Sequence, residues 1–507
     1  MSGFLYKSLY ESAFAYNQKI CLSMKDDESL SFSHFFEDTN RCIEFIKSLS
    51  LKKGDIIFLA LGTSREFCSL LYACNALGIV VVPVSTKLKA DGLTSLLKTI
   101  QPKVVFYDTQ YQPFIPQLED VACTDVKTVE CQDIKKYKSF APASQEEIHS
   151  LISEYDEEAV AIIMFTSGTT GTPKGARISN HNIKYAVKAY EEALKLDCND
   201  STILGVPIFH ITGLVAILSL FIYIGGTTYL EKRFNSKEIL DLIDEKNISF
   251  LHGSPTVFAL LHQENMHLNG KTYLSLKSIA CGAGRLNKGI INSLKLMFPN
   301  SQIHSVYGLT ESTSPCTIYR GDVSSTLNAD SSGTAVLGAS VKICDDNGND
   351  IGFNKIGKIY ISGDMVINSY YPENSENKKL FKDSYLNTGD VGYIDEQGHL
   401  YVKDRVKDII NRGGEKIFCP EVESLISTFE GVIEVAIVAK EDPIYGEIPV
   451  AYIRVRNKNS FNVQQLNLFL KDHLAKFQIP TSYVFVDDFP RTNNEKINKR
   501  LLRQLYN

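Results

Sequence analysis

The eleven cysteines include no C-x-x-C pair. Neither a zinc site nor a disulfide framework is therefore expected, and the odd count fits scattered reduced thiols. There is no excess of basic charge: Lys plus Arg is 53 against Asp plus Glu 59, a net charge of -6. That balance argues against a nucleic-acid partner. No apolar run reaches the ~20 residues that a bilayer crossing needs. The nearest candidate, ITGLVAILSLFIYIGG from Ile211 to Gly226, is limited upstream by Pro207 and His210 and reads as a buried helix. The opening stretch, MSGFLYKSLYESAFAYNQK, has no apolar export core or small-residue cleavage site, and the closing RQLYN is not a peroxisomal tripeptide. A cytoplasmic protein without a membrane span is the expectation. Solenoid-length repeats and low-complexity segments are also lacking.

What is present is ordinary globular composition, 44% apolar and 22% charged over 507 residues. That length is too great for one core, so two or three packed units are expected. Apolar residues recur at helical spacing from Ser33 to Leu49. Strands at 56–61, 79–84 and 104–107 then alternate with helices at 66–77 and 93–100. The alternation resumes with strands at 202–205, 227–230, 248–252, 279–281 and 303–306, and helices at 237–245 and 288–298. This rhythm predicts parallel α/β sheets, with ligands bound at the carboxyl ends of the strands. Beyond residue 330 short strands and turns predict a small β unit, in which DDNGND at 345–350 reads as an Asn-Gly hairpin turn. Its glycine comes too early for a calcium loop. From Lys407 onward, strands at 435–439, 450–455 and 483–486 with a helix at 463–473 predict a small α+β domain. The fold class is thus α/β: a large N-terminal domain, 1–406, of two parallel-sheet α/β subdomains plus a small β subdomain, then a small α+β domain, 407–507.

One stretch organises the chain. Met164 to Ala176, MFTSGTTGTPKGA, comes after the uninterrupted apolar run Val160–Phe165, as expected of a strand buried on both faces. Gly168, Gly171 and Gly175 allow successive N–H groups to turn inward as an anion-binding concavity, and Lys174 adds positive charge. The Walker A pattern of nucleoside triphosphatases fails here, because Pro173 precedes the lysine and Gly175 succeeds it. Ser179-Asn180 is placed to cap a helix through about Leu194.

TSGTTGTPKGA resembles the signature of the adenylate-forming superfamily, which includes acyl- and aryl-CoA synthetases, peptide-synthetase adenylation domains and beetle luciferases. The likeness covers nearly the whole chain. It implies ATP-dependent activation of a carboxylic acid as acyl-AMP, with ATP, Mg2+ and CoA as cofactors. Thr166, Ser167, Gly168, Thr169, Thr170 and Lys174 would then grip the phosphates. Tyr307-Gly308-Leu309-Thr310-Glu311 resembles the family's Y-G-x-T-E, implying Tyr307 against adenine, Thr310 at the α-phosphate and Glu311 on magnesium. Thr388-Gly389-Asp390 resembles its T-G-D, making Asp390 the ribose anchor with Arg405 as a second ribose contact. Lys407 falls at the family's hinge, about which the small C-terminal domain is mobile. Gly413 and Gly414 lie in a loop similar to the one that approaches CoA. Pro490 to Lys496, PRTNNEK, resembles the P-x4-G-K ending and nominates Lys496 as the catalytic cation, with Lys499 as fallback; Glu495 stands where the family has Gly.

The same resemblance assigns the acyl pocket. Val206–Leu214 is similar to the segment in which a histidine, here His210, flanks the carboxylate. Cys281, Gly282, Ala283 and Arg285 form a second wall, with Gly282 and Ala283 also toward ATP, and Val306 and Gly308 complete it. Arg285 stands where Pro is frequent. Facing the pocket it could pair with a second carboxylate; facing outward it would do nothing. An acid–CoA ligase is the first reading. The alternatives are a stand-alone adenylating enzyme serving a carrier protein and, from another class, a non-catalytic nucleotide sensor. A homodimer is also left open.

Overall fold

The computed structural model describes residues 3–25, 27–88, 90–114, 126–166, 174–325, 330–491 and 497–505. Its contacts divide the chain into two compact units. The first holds residues through Leu286, Ile290–Val341 and Ile361–Leu386; the second is mainly Lys342–Tyr360 and the chain from Asn387 onward.

Among the described residues, the first unit contains a seven-stranded and a nine-stranded sheet. In the smaller one, Ile56–Ala60, Val80–Pro83, Val104–Tyr107, Val160–Thr166 and the edge strand Lys127–Glu130 run parallel. The expected apolar strand before the organising loop is there. After the loop the chain does not enter a helix directly. Lys174–Ser179 turns back antiparallel on Val160–Thr166, pairing Thr166 with Lys174, and Tyr370–Tyr371 adds a further antiparallel strand. The organising stretch is therefore a hairpin, whose tip, with Ser167, Gly168, Thr169 and Thr170, lies outside the described residues. The helix Asn180–Leu194 begins where expected, on a reciprocal cap between Ser179 and Asn182.

In the larger sheet, Gln302–Tyr307, Ser278–Cys281, Phe250–Gly253, Ser201–Leu204 and Thr227–Leu230 lie side by side in that order, all parallel. Antiparallel strands Thr317–Ile318 and Thr334–Ala335 at one edge and Asp27–Ser31 at the other leave this sheet mixed as well, so neither sheet is purely parallel. Of the expected helix Ile211–Gly226, the part through Tyr223 is helical and almost wholly buried, and 224–226 turn into the next strand. The helix is wound in wide π-type turns over Thr212–Ser219 before Leu220–Tyr223 tightens to an α-turn. Among the described residues no helix is long and apolar enough to cross a membrane.

In the second unit, Val432–Asp442 and Gly446–Val455 form a long antiparallel hairpin. Ile410–Arg412 and Ser482–Phe485 both pair with its second strand, Gly446–Val455, and the helices Cys419–Ser427 and Val463–His473 contribute to its apolar core. The 345–350 segment is a tight turn in which the Asp345 carboxylate accepts from the N–H groups of Asn347 and Asn349. The ten described cysteines are all free thiols.

Candidate active site

Sheet order explains how residues a hundred positions apart become neighbours. The larger sheet sets four parallel strand ends in a row. They carry Val306-Tyr307, Cys281-Gly282-Ala283, His252-Gly253, and Leu204 leading to His210. Side chains at such ends face the crevice where α/β sheets bind ligands. His210 sits in a turn closed by its own N–H on the Pro207 carbonyl (3.1 Å), with its Nδ1 accepting from the Thr212 N–H (3.3 Å). Ala283 holds a left-handed φ of 62°, uncommon for a residue with a side chain, immediately after Gly282 donates to the Gly253 carbonyl.

After Tyr307 the chain folds back sharply. Thr310–Ser312 forms one 3-10 turn, and Ser312 caps it through the Leu309 N–H. Thr313 and Ser314 come next, both in positive-φ conformations. The turn presents Glu311. Its carbonyl accepts from the Ile367 N–H, and its carboxylate accepts from the Tyr370 hydroxyl at 3.1 Å. Because Tyr370 pairs with Ala176 on the strand leaving the phosphate loop, Glu311 is fixed beside the base of that hairpin. Burial and the Glu311 carboxylate together push the Tyr370 phenol well above its ordinary range, so it stays a donor. Sequence reasoning missed Tyr370, because nothing in Ser369-Tyr370-Tyr371 advertises a polar role.

In the second unit the two expected ribose contacts stand directly opposite each other on paired strands. The nearly buried Asp390 carboxylate meets the Arg405 Nε at 3.2 Å, and Thr388 and Gly389 shape the approach. Gly413 and Gly414 form a two-residue hairpin loop with φ of 60° and 95°, the geometry that glycine accepts without strain. Lys407 is solvent-exposed, and partial desolvation lowers the pKa of its ammonium. Its neighbour Asp408 is bound by Arg503 of the last helix at 2.9 Å. Lys496 lies outside the described residues, together with Glu495. Arg491 and Ile497 on either side of that stretch pair with each other, and Arg491 is clamped by Glu434. The fallback Lys499 is engaged within the small unit, 2.6 Å from Glu423.

Arg285 is met by Asp330, Nη2 to Oδ2 at 3.1 Å, while its buried Nη1 has no partner among the described residues. The aspartate is largely solvent-exposed. Such a pair contributes little and is readily exchanged.

The two units titrate in opposite directions. Burial, with His210 nearby, pulls the His252 imidazole down to about 3, and burial also lowers His304. Unfolded, each takes a proton near pH 6.5. Their contribution to stability is thus complete above about pH 6.5 and is lost as pH falls. Asp404 behaves oppositely: burial pushes its carboxyl up to about 7. Its contribution is complete below the unfolded value near pH 4 and is lost as pH rises to about 7. Between about pH 7.5 and pH 5, intrinsic-rate-corrected amide protection should therefore fall in strands 250–253 and 302–307 and rise in the second unit's strands 432–442 and 446–455. Protection moving the same way in both units would contradict this assignment.

A family model described as "AMP-binding enzyme" matches residues 9–371, and one described as "AMP-binding enzyme C-terminal domain" matches 421–496. The chain belongs to the AMP-binding enzyme family. Across 486 residues this AMP-binding enzyme is 28% identical to the long-chain-fatty-acid–CoA ligase FadD13 of Mycobacterium tuberculosis, covering 95% of this chain and 94% of that protein. It is also 28% identical to the 2-succinylbenzoate–CoA ligase of Bacillus licheniformis, over 94% and 95% of the two lengths. Among solved structures, the o-succinylbenzoate CoA synthetase of Bacillus subtilis with its acyl-adenylate intermediate superposes with a TM-score of 0.86 at 26% identity over 98% of both chains. The same synthetase has also been solved with ATP and magnesium.

Proposed function

We propose that this AMP-binding enzyme is an acid–CoA ligase. It joins a carboxylic acid to AMP with release of pyrophosphate, then transfers the acyl group to the thiol of CoA with release of AMP. The observation that carries this reading is the Glu311 carboxylate, oriented by Tyr370 beside the phosphate-loop hairpin and at the end of the strand that carries Tyr307. One carboxylate completed by phosphate oxygens and waters suits magnesium, and a hydroxyl holding that carboxylate fixes its aim. Bound there, the metal would neutralise charge on the phosphates. The nucleophile is the acid's own carboxylate oxygen, which bonds to the α-phosphorus as the bond to pyrophosphate breaks. Thr310 and Lys496 would meet the charge developing there, His210 would orient the carboxylate, and Asp390 with Arg405 would accept and donate to the ribose hydroxyls. Relatives named as CoA ligases over nearly their full length support CoA as acceptor.

For the second half-reaction the small domain, 407–507, turns about Lys407 and brings the Gly413-Gly414 loop to CoA. The Arg503–Asp408 pair supports this division, because it ties the residue after the hinge to the last helix. Large rotations concentrated at one or two residues are physically reasonable.

The test is ATP–pyrophosphate exchange across a panel of acids, repeated as AMP release with and without CoA. Exchange with one acid class and AMP release only with CoA establishes the ligase. Exchange without CoA-dependent release points to a carrier protein, and ATP binding without exchange points to a sensor. In the same panel Arg285→Ala should leave monocarboxylic acids within about threefold. A dicarboxylic acid that competes with Asp330 for the guanidinium should lose about tenfold or more, the worth of one charge-assisted hydrogen bond. An unchanged dicarboxylate rate would remove Arg285 from the pocket.

A further inference from the structure

No motif singles out His252, yet it stands among the acyl-pocket candidates. It pairs with Ala280 on the neighbouring strand, and Ala280 pairs in turn with His304. Two residues further along those strands are Gly282 and Val306, which therefore share its face of the sheet. A side chain built at Gly282 would place its Cβ 3.5 Å from His252 Cε1 and 3.5 Å from Val306 Cβ. The imidazole and the Val306 carbonyl oxygen, 3.3 Å from the same point, border the position that the missing side chain would take. His252 is only 7% exposed. Its Nε2 is engaged with the Tyr190 hydroxyl at 3.1 Å, and that hydroxyl is held by Ser314 at 2.9 Å. Its Nδ1 has no hydrogen-bond partner among the described residues. A buried polar atom left in that state costs on the order of 1–3 kcal/mol, and such atoms are rare unless something else supplies the partner.

We propose that the substrate supplies it: His252 is a specificity-determining residue whose Nδ1 hydrogen-bonds an uncharged oxygen, a hydroxyl or keto group, on the chain of the acid. This rests on the ligase reading and names its substrate class. The ring is neutral across the physiological range, since both burial and the nearby His210 disfavour a proton. A neutral imidazole in an apolar wall suits an uncharged group, whereas a second carboxylate there would bury an uncompensated charge. Phe250, edge-on to the ring, and Val306 on the same face give this part of the pocket an apolar wall. A site that donates or accepts one such bond discriminates against the analogue that lacks it.

The experiment measures kcat/KM in pyrophosphate exchange for hexanoate, octanoate and 3-phenylpropanoate against their hydroxy- and oxo-derivatives, position by position. In the wild-type enzyme at least one oxygenated acid should exceed its plain parent by about tenfold to a hundredfold. In His252→Leu and His252→Phe the ratio of the oxygenated acid to its own parent, measured within each variant, should fall to about one. A third measurement needs no variant: with ATP present, the Nδ1 resonance of 15N-labelled His252 should shift with the preferred acid and not with its parent. Plain acids preferred throughout, a ratio that survives both substitutions, or an unmoved Nδ1 resonance would each overturn the inference and leave the ligase standing. Absence of exchange with every acid would instead overturn the ligase reading and this inference with it.

Discussion

Gly308→Ala is expected to cut pyrophosphate exchange by on the order of a hundredfold or more, although the substitution adds one methyl group and no charge. A Cβ at this position would lie 1.5 Å from the Ser314 carbonyl oxygen, 2.7 Å from its carbon and 3.2 Å from Pro315 Cα. All three are backbone atoms and cannot rotate away. Nor is the opposing strand free to retreat. The Ser314 N–H donates to the Leu309 carbonyl, the Cys316 N–H to the Tyr307 carbonyl, and the Thr313 hydroxyl to the Met365 carbonyl at 2.7 Å. Relief must come from the turn between Tyr307 and Ser314, which carries Thr310 and Glu311. Displacing reacting or metal-binding groups by about 1 Å costs about a hundredfold in rate, and overpacking adds about 1–3 kcal/mol of lost stability. Exchange assays beside thermal melting separate the two effects. A folded variant with a loss under tenfold would show that the turn tolerates the methyl and does not govern catalysis.

This turn also shows what can be read from a sequence and what cannot. Strand positions follow from apolar runs alternating with helical patterns, and a motif such as Tyr307–Glu311 marks one strand end, while the order of the strands in the sheet does not follow from either. The tight approach of Ser314 to Gly308 is not legible in this way, since it depends on two successive positive-φ residues with no glycine between them. Lys174–Ser179 likewise reads in sequence only as a passage to the helix. Its antiparallel pairing comes from tertiary contact with Val160–Thr166, which local propensity in GARIS does not express. His252 and Tyr370 carry no local signal, as a lone histidine or tyrosine at a strand end is most simply a packed residue. Only the neighbours, Tyr190 for one and Glu311 for the other, give them polar roles. In the small domain the opposite holds. Short motifs name Asp390 and Arg405 separately, and the hairpin register then sets them face to face.

Lys496→Ala should lower adenylation by on the order of a hundredfold to a thousandfold, the range for removing one preorganised charge from a transition state. Thioester formation from supplied acyl-AMP should be spared, which is the sharper half of the prediction. The pairing of Arg491 with Ile497, and the clamp of Glu434 on Arg491, anchor both ends of the segment bearing Lys496 to the small domain. A rotation of that domain about Lys407 would therefore carry Lys496 with it and exchange it for the Gly413-Gly414 loop at the reacting centre. Under that scheme a lysine needed at the α-phosphate has no part in the second step. Lys499 is poorly placed to substitute, because its ammonium is committed to Glu423. Lys499→Ala should act through stability, shifting the melting of the small domain and both half-reactions together. Equal losses in the two half-reactions for Lys496→Ala would contradict the domain exchange. A selective loss in adenylation for Lys499→Ala would move the catalytic charge three residues along the chain. Glu495 sharpens the comparison, since its carboxylate adjoins Lys496 in sequence and lacks the backbone freedom of the glycine usual in the family. If that neighbour restrains the lysine, Glu495→Gly should raise adenylation and leave thioester formation unchanged, the mirror image of Lys496→Ala.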